Sequence, residues 1–281
     1  MFGMRIGGFI GSAVLALVVG VASPAAAADA PEVAAKSAYV VDSAGTIHFG
    51  KSETRRTPVA SLVKVMTAYV VLQEAKLSDT ITISATDVKY AAGNGATTAG
   101  LKKGEQLTVR DLLYGLLLPS GADAANALAR RYGPGKTAFV AKMNRTARSL
   151  GLSDTRYANP DGMPTPGDGG YSTAVDQVKL AQRALDDADF AAVVGSKVYK
   201  VAKTSLHRAH TWRNSNKLLS RADGVLGVKT GYTKAAGYCL LFAGERSGKR
   251  VVGVLLGDRN ERRFATAEQL LDYAGEQIAG G

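Results

Sequence analysis

A serine and a lysine lie one helical turn apart in the segment Ser61-Leu62-Val63-Lys64. On the first turn of a helix, residues three positions apart share a face, so this spacing places an amine beside a hydroxyl. A serine hydroxyl is a weak nucleophile near neutral pH, and an adjacent base is the usual means of activating it. Of the lysines in the chain, only Lys64 has a serine three positions before it. The pair predicts nucleophilic catalysis; a helix start with a serine cap and a solvated lysine is the alternative.

Two later triplets place polar side chains where a substrate could approach the backbone. Pro-Ser-Gly at 119–121 lies at the break between two predicted helices, where Ser120 is otherwise only a helix cap. Lys-Thr-Gly at 229–231 occurs once in the chain, at the end of an apolar run. Its glycine would let a substrate approach the strand closely, while the lysine and the threonine would attract an anion. A strand end followed by a turn is the alternative for this triplet.

The patterning between these motifs predicts the elements that hold them. Apolar alternation over 37–42 and 46–50, joined by Ser-Ala-Gly, predicts a hairpin. Apolar stripes and cap residues predict helices over 61–74, 108–118, 123–132, 137–150, 172–188 and 260–278. Apolar runs predict strands over 225–229, 237–244 and 250–257, and the proline and glycine content of 159–170 predicts an irregular loop.

This order of elements predicts an α+β fold. Strands from the two ends of the chain most simply form one antiparallel sheet, and the helical block between them forms a second lobe. A cleft between the lobes is the expected place for a site. Ser61 begins the first core helix directly after the hairpin, so it lies at that junction.

The first 28 residues have the layout of a secretory signal peptide. Arg5 precedes an apolar stretch, which ends in small residues as at an Ala-x-Ala cleavage site. An uncleaved N-terminal anchor is the alternative. We predict a signal peptide over 1–28 and a single two-lobed domain over 29–281, with neither a second β domain nor a C-terminal amphipathic anchor. The processed protein would be extracytoplasmic: secreted, periplasmic or associated with the cell wall.

The composition excludes some function classes. The net charge is +11, but the basic residues are scattered and are not interleaved with aromatic residues, so no nucleic-acid partner is indicated. An anionic surface such as a cell wall fits this charge, and solubility explains it equally well. The lone cysteine, Cys239, excludes an intramolecular disulfide and is interpreted as a buried core residue.

The three motifs in this order resemble the motif set of the penicillin-interactive serine enzymes. The chain is most similar to the serine D-alanyl-D-alanine carboxypeptidases of peptidase family S11, the low-molecular-weight penicillin-binding proteins. The similarity extends over 58–68, 104–105 with 108–121, 159–162 and 227–240, and so over nearly the whole processed chain. It implies the β-lactamase/transpeptidase-like fold, with the active site in the cleft between the sheet and the helical lobe.

The resemblance also implies the catalytic roles. Ser61 would attack the carbonyl between the two D-alanines of a peptidoglycan stem peptide, and Lys64 would accept the serine proton. Ser120 would pass a proton to the leaving amine. Lys229 would hold Ser120 and attract the substrate carboxylate. Water would then hydrolyse the acyl-enzyme, with no metal or organic cofactor.

Four further residues would bind substrate. Thr230 and Arg263 would hold the terminal carboxylate, although a solvated basic face shared with Arg262 is the alternative for Arg263. Gly231 would allow close approach, and the backbone N–H of Tyr232 would join that of Ser61 in an oxyanion hole. β-Lactams would act as covalent inhibitors of what we expect to be a monomer without a stable membrane anchor.

One residue departs from the family pattern. The second motif is usually serine, any residue, asparagine, but here Ala122 occupies the third position. Alanine can neither donate to a substrate amide nor hold Lys64 through a side-chain amide. Asn126 lies one turn further on, and we do not expect it to substitute.

Other functions share these residues. A DD-transpeptidase and a DD-endopeptidase are both compatible with them. A class A β-lactamase needs a glutamate to activate the deacylating water, and 153–172 contains none. A weakly active wall-binding protein is the non-enzymatic alternative, supported only by Ala122.

Overall fold

A five-stranded antiparallel sheet combines strands from both ends of the chain. The computed structural model describes residues 1–3, 29–93, 95–165 and 169–281, so the predicted signal peptide lies outside the described residues beyond its first three positions. The sheet has the order β2-β1-β9-β8-β7. Its strands are β1 (Ser37–Asp42), β2 (Ile47–Lys51), β7 (Val225–Thr233), β8 (Gly237–Arg246) and β9 (Lys249–Asp258). The predicted joining of the N-terminal hairpin to the C-terminal strands is confirmed, because β1 pairs with β9.

Helices fill the middle of the chain and follow the sheet at its end. They are α1 (Val63–Leu72), α2 (Ala85–Gly93), α3 (Val109–Leu117), α4 (Ala122–Tyr132), α5 (Lys136–Ser149), α6 (Ala174–Leu185), α7 (Ala188–Gly195) and α8 (Arg262–Gly280). Two small sheets pair β3 (Thr80–Thr82) with β4 (Gln106–Thr108) and β5 (Val198–Val201) with β6 (His210–Arg213).

The sheet has a helical layer on each face. Side chains alternate along β8, so Leu240 and Phe242 pack towards α8, whereas Leu241 packs in the core shared with the helical block. The buried Cys239 lies in the core shared with the helical block, and its burial agrees with the prediction. Helix α1 has buried residues through nearly its whole length and so is the central helix of this lobe.

The structure differs from the predicted elements at three places. The helix expected from 172 to 188 ends at Leu185, because Asp187 caps a new helix by accepting a hydrogen bond from the backbone N–H of Phe190 at 3.0 Å. Strand β7 continues to Thr233, so the Lys-Thr-Gly triplet lies inside the strand and not at its end. Helix α2 and strands β3 to β6 were not predicted: the strands have only three or four residues, and α2 buries only Asp87 and Ala91 and so lacks a clear apolar stripe.

Candidate active site

Ser61 and Lys64 meet at the start of α1. The nucleophile lies in a 3₁₀ turn over Ala60–Leu62, directly before the α-helix. Lys64 Nζ donates to Ser61 Oγ at 2.9 Å and to the carbonyl oxygen of Asp161 at 2.6 Å. The predicted pairing of amine and hydroxyl is therefore present. The Asp161 carbonyl fixes the position of the amine from the opposite side.

Burial gives the Lys64 amine the character of a base. Its side chain is 1% exposed, and the loss of hydration lowers the pKa of Lys64 to about 8. The carboxylates of Asp161 and Asp123 act in the opposite direction and raise this pKa. A pKa near 8 leaves a useful fraction of neutral amine close to neutral pH, as a general base requires.

The Ser61 turn is held by two glycine-containing segments. Gly162 has φ +80°, and a Cβ there would overlap the carbonyl oxygen of Ala60. A Cβ on Gly231 would lie 3.1 Å from the Val59 carbonyl oxygen and 3.2 Å from the Ser61 nitrogen. The loop over 159–162 thus approaches the turn more closely than a side chain would allow, and strand β7 approaches it so closely that a side chain at Gly231 would be tightly packed.

Ser120 lies in a strained connection between α3 and α4. Its φ is +67°, in the left-handed region that a residue other than glycine rarely adopts. The connection is held by Thr97, whose hydroxyl donates to the Ser120 carbonyl at 2.9 Å and whose carbonyl accepts from the Ala122 N–H at 2.9 Å. The Ser120 hydroxyl oxygen is buried and has no hydrogen-bond partner within the described ranges, so it is available to a substrate.

Lys229 is a buried amine close to two other basic groups, Lys64 and Arg263. Its side chain is 1% exposed, and Nζ donates to the Thr230 carbonyl oxygen at 3.0 Å. Burial, together with the positive charges of Lys64 and Arg263, holds the pKa of Lys229 well below its ordinary value. Among the described residues, Lys229 Nζ and Ser120 Oγ are not hydrogen-bonded to each other, and the expected support of Ser120 by Lys229 stays a prediction. A bound anion beside these three basic groups would be stabilised and would favour their charged forms.

A cleft of about 370 Å³ connects these groups between the two lobes. Its lining includes Lys234 and Arg263 but no carboxylate among the described residues. Arg263 is 9% exposed and faces the cleft, whereas its neighbour Arg262 is exposed to solvent, so the solvated-face alternative for Arg263 is wrong. The cleft is positively charged and suited to an anionic ligand.

The residues expected to bind substrate meet on one wall of this cleft. Thr230, Gly231, Tyr232 and Arg263 all line it together with Ser61 and Ser120. The Thr230 hydroxyl is 2.6 Å from that of Ser215, which the sequence analysis did not identify. Ser215 precedes a 3₁₀ turn in a segment without a clear pattern, and no local signal marks it.

The family usually has an asparagine in the second motif where this chain has Ala122, and Asn126 does not take its place beside Lys64. Ala122 is completely buried at the start of α4. Asn126 donates from Nδ2 to the Ala122 carbonyl at 2.7 Å and to the Asp161 carboxylate at 3.4 Å. Its amide therefore supports the loop that holds Lys64 rather than Lys64 itself, in agreement with the expectation that Asn126 does not substitute.

The two-lobed α+β fold, together with a serine–lysine pair at the cleft, places the protein in the class of serine-type peptidases. The sequence matches the D-alanyl-D-alanine carboxypeptidase family, peptidase S11, over residues 24–260, and the chain belongs to this family. The D-alanyl-D-alanine carboxypeptidase of Streptomyces sp. strain K15 is 40% identical over 90% of this chain and 91% of that protein. The carboxypeptidase DacF of Bacillus subtilis is 31% identical over 86% of this chain but 62% of that protein.

Solved structures agree with this family and confirm the predicted fold. The Streptomyces K15 DD-transpeptidase superposes with a TM-score of 0.83 and 38% identity, over 88% of this chain and 98% of that one. The D-alanyl-D-alanine carboxypeptidase of Mycobacterium tuberculosis H37Rv superposes with a TM-score of 0.82 and 32% identity, over 90% of this chain and 95% of that one. Within the described ranges, none of the helices has the length and apolar character needed to cross a membrane.

Proposed function

We propose that this protein removes the terminal D-alanine from peptidoglycan stem peptides through an acyl-enzyme on Ser61. The observation that carries the proposal is the 2.9 Å hydrogen bond between Lys64 Nζ and Ser61 Oγ, made by a lysine whose pKa is about 8. A hydroxyl in contact with a partly neutral amine is an activated nucleophile.

In the acylation step, an ester bond to Ser61 Oγ replaces the peptide C–N bond between the two D-alanines. Lys64 accepts the proton of Ser61 as Oγ attacks the carbonyl carbon between the two D-alanines. The backbone N–H groups of Ser61 and Tyr232 would stabilise the oxyanion, since Gly231 keeps strand β7 close to the Ser61 turn. The C–N bond then breaks as Ser120 gives its hydroxyl proton to the departing D-alanine amine, and the Ser120 oxygen takes back the proton that Lys64 accepted from Ser61. Water later attacks the ester and regenerates Ser61.

The cationic wall of the cleft would select the terminal carboxylate. Thr230 and Arg263 line the cleft together with Ser120, and the buried amine of Lys229 precedes Thr230 on the same strand. A bound carboxylate would favour the charged form of Lys229, because an opposite charge raises a depressed amine pKa. Neither a metal nor an organic cofactor has a part in this sequence of steps.

The substrate implies where the protein works. Peptidoglycan stem peptides lie outside the cytoplasmic membrane, so the protein would act there as an extracytoplasmic monomer. The predicted signal peptide supports this location, and β-lactams would acylate Ser61 as analogues of the D-alanyl-D-alanine terminus.

Labelled penicillin tests the site assignment. The purified wild-type protein should become labelled at Ser61, and Ser61→Ala should remove the label completely because Ser61 is the nucleophile that pairs with Lys64 within the described residues. Ser196→Ala, at a serine on the far end of α7, is the matched control and should label like the wild type. Labelling of Ser61→Ala at the wild-type level would overturn the assignment. Stable labelling over hours would argue against a β-lactamase.

Transpeptidation is the second candidate, favoured by the DD-transpeptidase name of the K15 structure. A pentapeptide ending in D-Ala-D-Ala, incubated with and without an amine acceptor, separates the two functions by mass spectrometry. Loss of 1 D-alanine as the main product in the presence of the acceptor supports the carboxypeptidase. A product that is mainly the aminolysed peptide would make the protein a transpeptidase.

A further inference from the structure

Arg263 is held in the cleft by an aromatic side chain from the neighbouring strand. We propose that Tyr238 is a positioning residue that keeps the Arg263 guanidinium aimed at the terminal carboxylate of the substrate. This inference rests on the proposed function and adds to it a residue outside the three motifs. Tyr238 itself is absent from the cleft lining, so it would act through Arg263 rather than on the substrate.

The hydrogen bonds of Arg263 are too few to fix its position. Nη1 donates to the Asn260 side-chain oxygen at 3.2 Å, and Nε is buried without a hydrogen-bond partner in the described part of the chain. No carboxylate of the described residues lies within 4.0 Å as an ion-pair partner. The positive charge is therefore left for a ligand, but hydrogen bonds alone leave the side chain poorly restrained.

Aromatic rings supply the missing restraint. The central carbon of the Arg263 guanidinium lies 4.8 Å from the centroid of the Tyr238 ring and 4.6 Å from that of Phe264. Both distances are within the range of a cation–π interaction, in which the ring face attracts the positive charge. The planar guanidinium can stack on a ring while its N–H groups remain directed outwards.

Tyr238 is in turn fixed by the strand that carries the site. It lies opposite Tyr232 in the register of β7 and β8, and the two rings stack with their centroids 4.3 Å apart. Tyr232 is the residue whose backbone N–H is proposed for the oxyanion hole. The stack thus connects the group that would hold the carboxylate to the group that would hold the scissile carbonyl.

This connection matters because the two substrate groups lie a fixed distance apart. A flexible arginine must give up about 2 kcal/mol of side-chain entropy when it is immobilised by a ligand. An arginine already held by two rings has lost part of this entropy before the substrate binds, so that binding costs less free energy. Loss of the Tyr238 ring should therefore weaken substrate binding more than it slows the chemical step.

A mutant cycle with a peptide ending in D-Ala-D-Ala tests this role. Tyr238→Leu should raise KM roughly five- to tenfold, with kcat changed less than about twofold, as expected for the loss of one cation–π contact. Tyr238→Phe keeps the ring and should behave like the wild type. In an Arg263→Gln background, Tyr238→Leu should have almost no further effect on KM, because the residue that it positions is gone.

Tyr39→Leu is the matched control, since Tyr39 is another half-buried tyrosine of the same sheet, outside the cleft lining. It should leave KM unchanged. An equal KM effect of Tyr238→Leu in the wild-type and Arg263→Gln backgrounds would overturn the inference, as would a loss confined to kcat or no effect. Tyr238→Met is a second variant of similar bulk. If both the Leu and the Met variants were unfolded, the Tyr238 ring would be required for folding, and the inference would also be overturned.

The same experiment separates this inference from the proposed function. If the wild-type protein is acylated by penicillin at Ser61 and cleaves the peptide, but substitution of Tyr238 leaves KM unchanged, only the positioning role is refuted. A wild-type protein that neither reacts with penicillin nor cleaves the peptide refutes the proposed function and, with it, the role of Tyr238.

Discussion

At the scale of single residues, the chemistry depends on lysines kept out of water. Lys64 and Lys229 are each 1% exposed, and burial lowers the pKa of both amines. The direction is the one a general base needs, because desolvation favours the neutral amine. Asp161 and Asp123 oppose the shift at Lys64 and keep its pKa at about 8.

We therefore predict that acylation by penicillin accelerates as the pH rises towards 8. Below this pKa, Lys64 is mostly protonated and cannot accept the serine proton. The rate should rise about tenfold per pH unit in the acidic range and level off above pH 8. Asp161→Asn removes a negative charge that raises the pKa of Lys64, so its midpoint should move to lower pH.

Asp272→Asn is the control for this pH profile. Asp272 lies on α8 in an ion pair with Arg246 and outside the cleft lining, so its loss should leave the midpoint in place. Stopped-flow measurement of label incorporation between pH 6 and 10 provides the comparison. A midpoint that moves to higher pH in Asp161→Asn would contradict the electrostatic account.

At the scale of elements, the site depends on how closely three backbone segments approach. The 3₁₀ turn of Ser61 is pressed between the loop over 159–162 and strand β7. Gly162 and Gly231 occupy the two points of contact: a methyl group has no room at Gly162 and would fit only tightly at Gly231. These glycines position the nucleophile and its oxyanion hole without taking part in the reaction.

Gly162→Ala should be strongly destabilising and should also slow acylation. Two effects combine there: a positive φ, which costs alanine about 1–2 kcal/mol, and overlap with the Ala60 carbonyl oxygen. Gly248→Ala is the matched control, since Gly248 has φ +76° in the β8–β9 turn and open space around its Cβ position.

Urea unfolding and penicillin labelling separate the two effects. Gly248→Ala should lose only about 1–2 kcal/mol and label normally. Gly162→Ala should lose at least about 1 kcal/mol more and label at a reduced rate. If the two variants were equally stable and equally reactive, the close packing of the loop on the Ser61 turn would not matter.

At the scale of the whole molecule, the buried base lowers the stability of the fold. The pKa of Lys64 is about 8 in the folded protein and 10.5 in its ordinary state. Below pH 8 the folded protein must keep a charged amine out of water, and this penalty is of the order of 3 kcal/mol. Between pH 8 and 10.5 the unfolded chain binds more protons at this group, so stability rises with pH.

Lys64→Met should therefore be more stable than the wild type at pH 7, by about 1–3 kcal/mol, while losing activity. The difference should shrink as the pH rises from 8 to 10.5, where the wild-type amine becomes neutral in both states. Urea unfolding at pH 7 and pH 10 measures this change. Lys197→Met, at an exposed lysine, should show no pH-dependent difference, and a Lys64→Met gain that does not vary with pH would refute the charge penalty.

Much of the fold and part of the site could be predicted from local sequence. The apolar periodicities place α1, α3, α4, α5, α6 and α8 within a few residues of their observed bounds, because each helix presents an apolar face to one core. The helix predicted from residue 108 begins there because Thr108 and Asp111 form a capping box at the start of α3. Ser61 and Lys64 could be paired from their spacing alone, since one helical turn fixes their separation.

The longer helices, the strands of the main sheet, the serine–lysine pair and the order of the three motifs follow from the sequence alone, because they depend on near neighbours in the chain. The packed fold is needed to place Arg263 at the cleft while Arg262 faces solvent, and to bring the Asp161 carbonyl to Lys64. These contacts join residues far apart in sequence. Burial, desolvation and close backbone approach arise only when the two lobes have packed against each other, and they set the chemistry of the site.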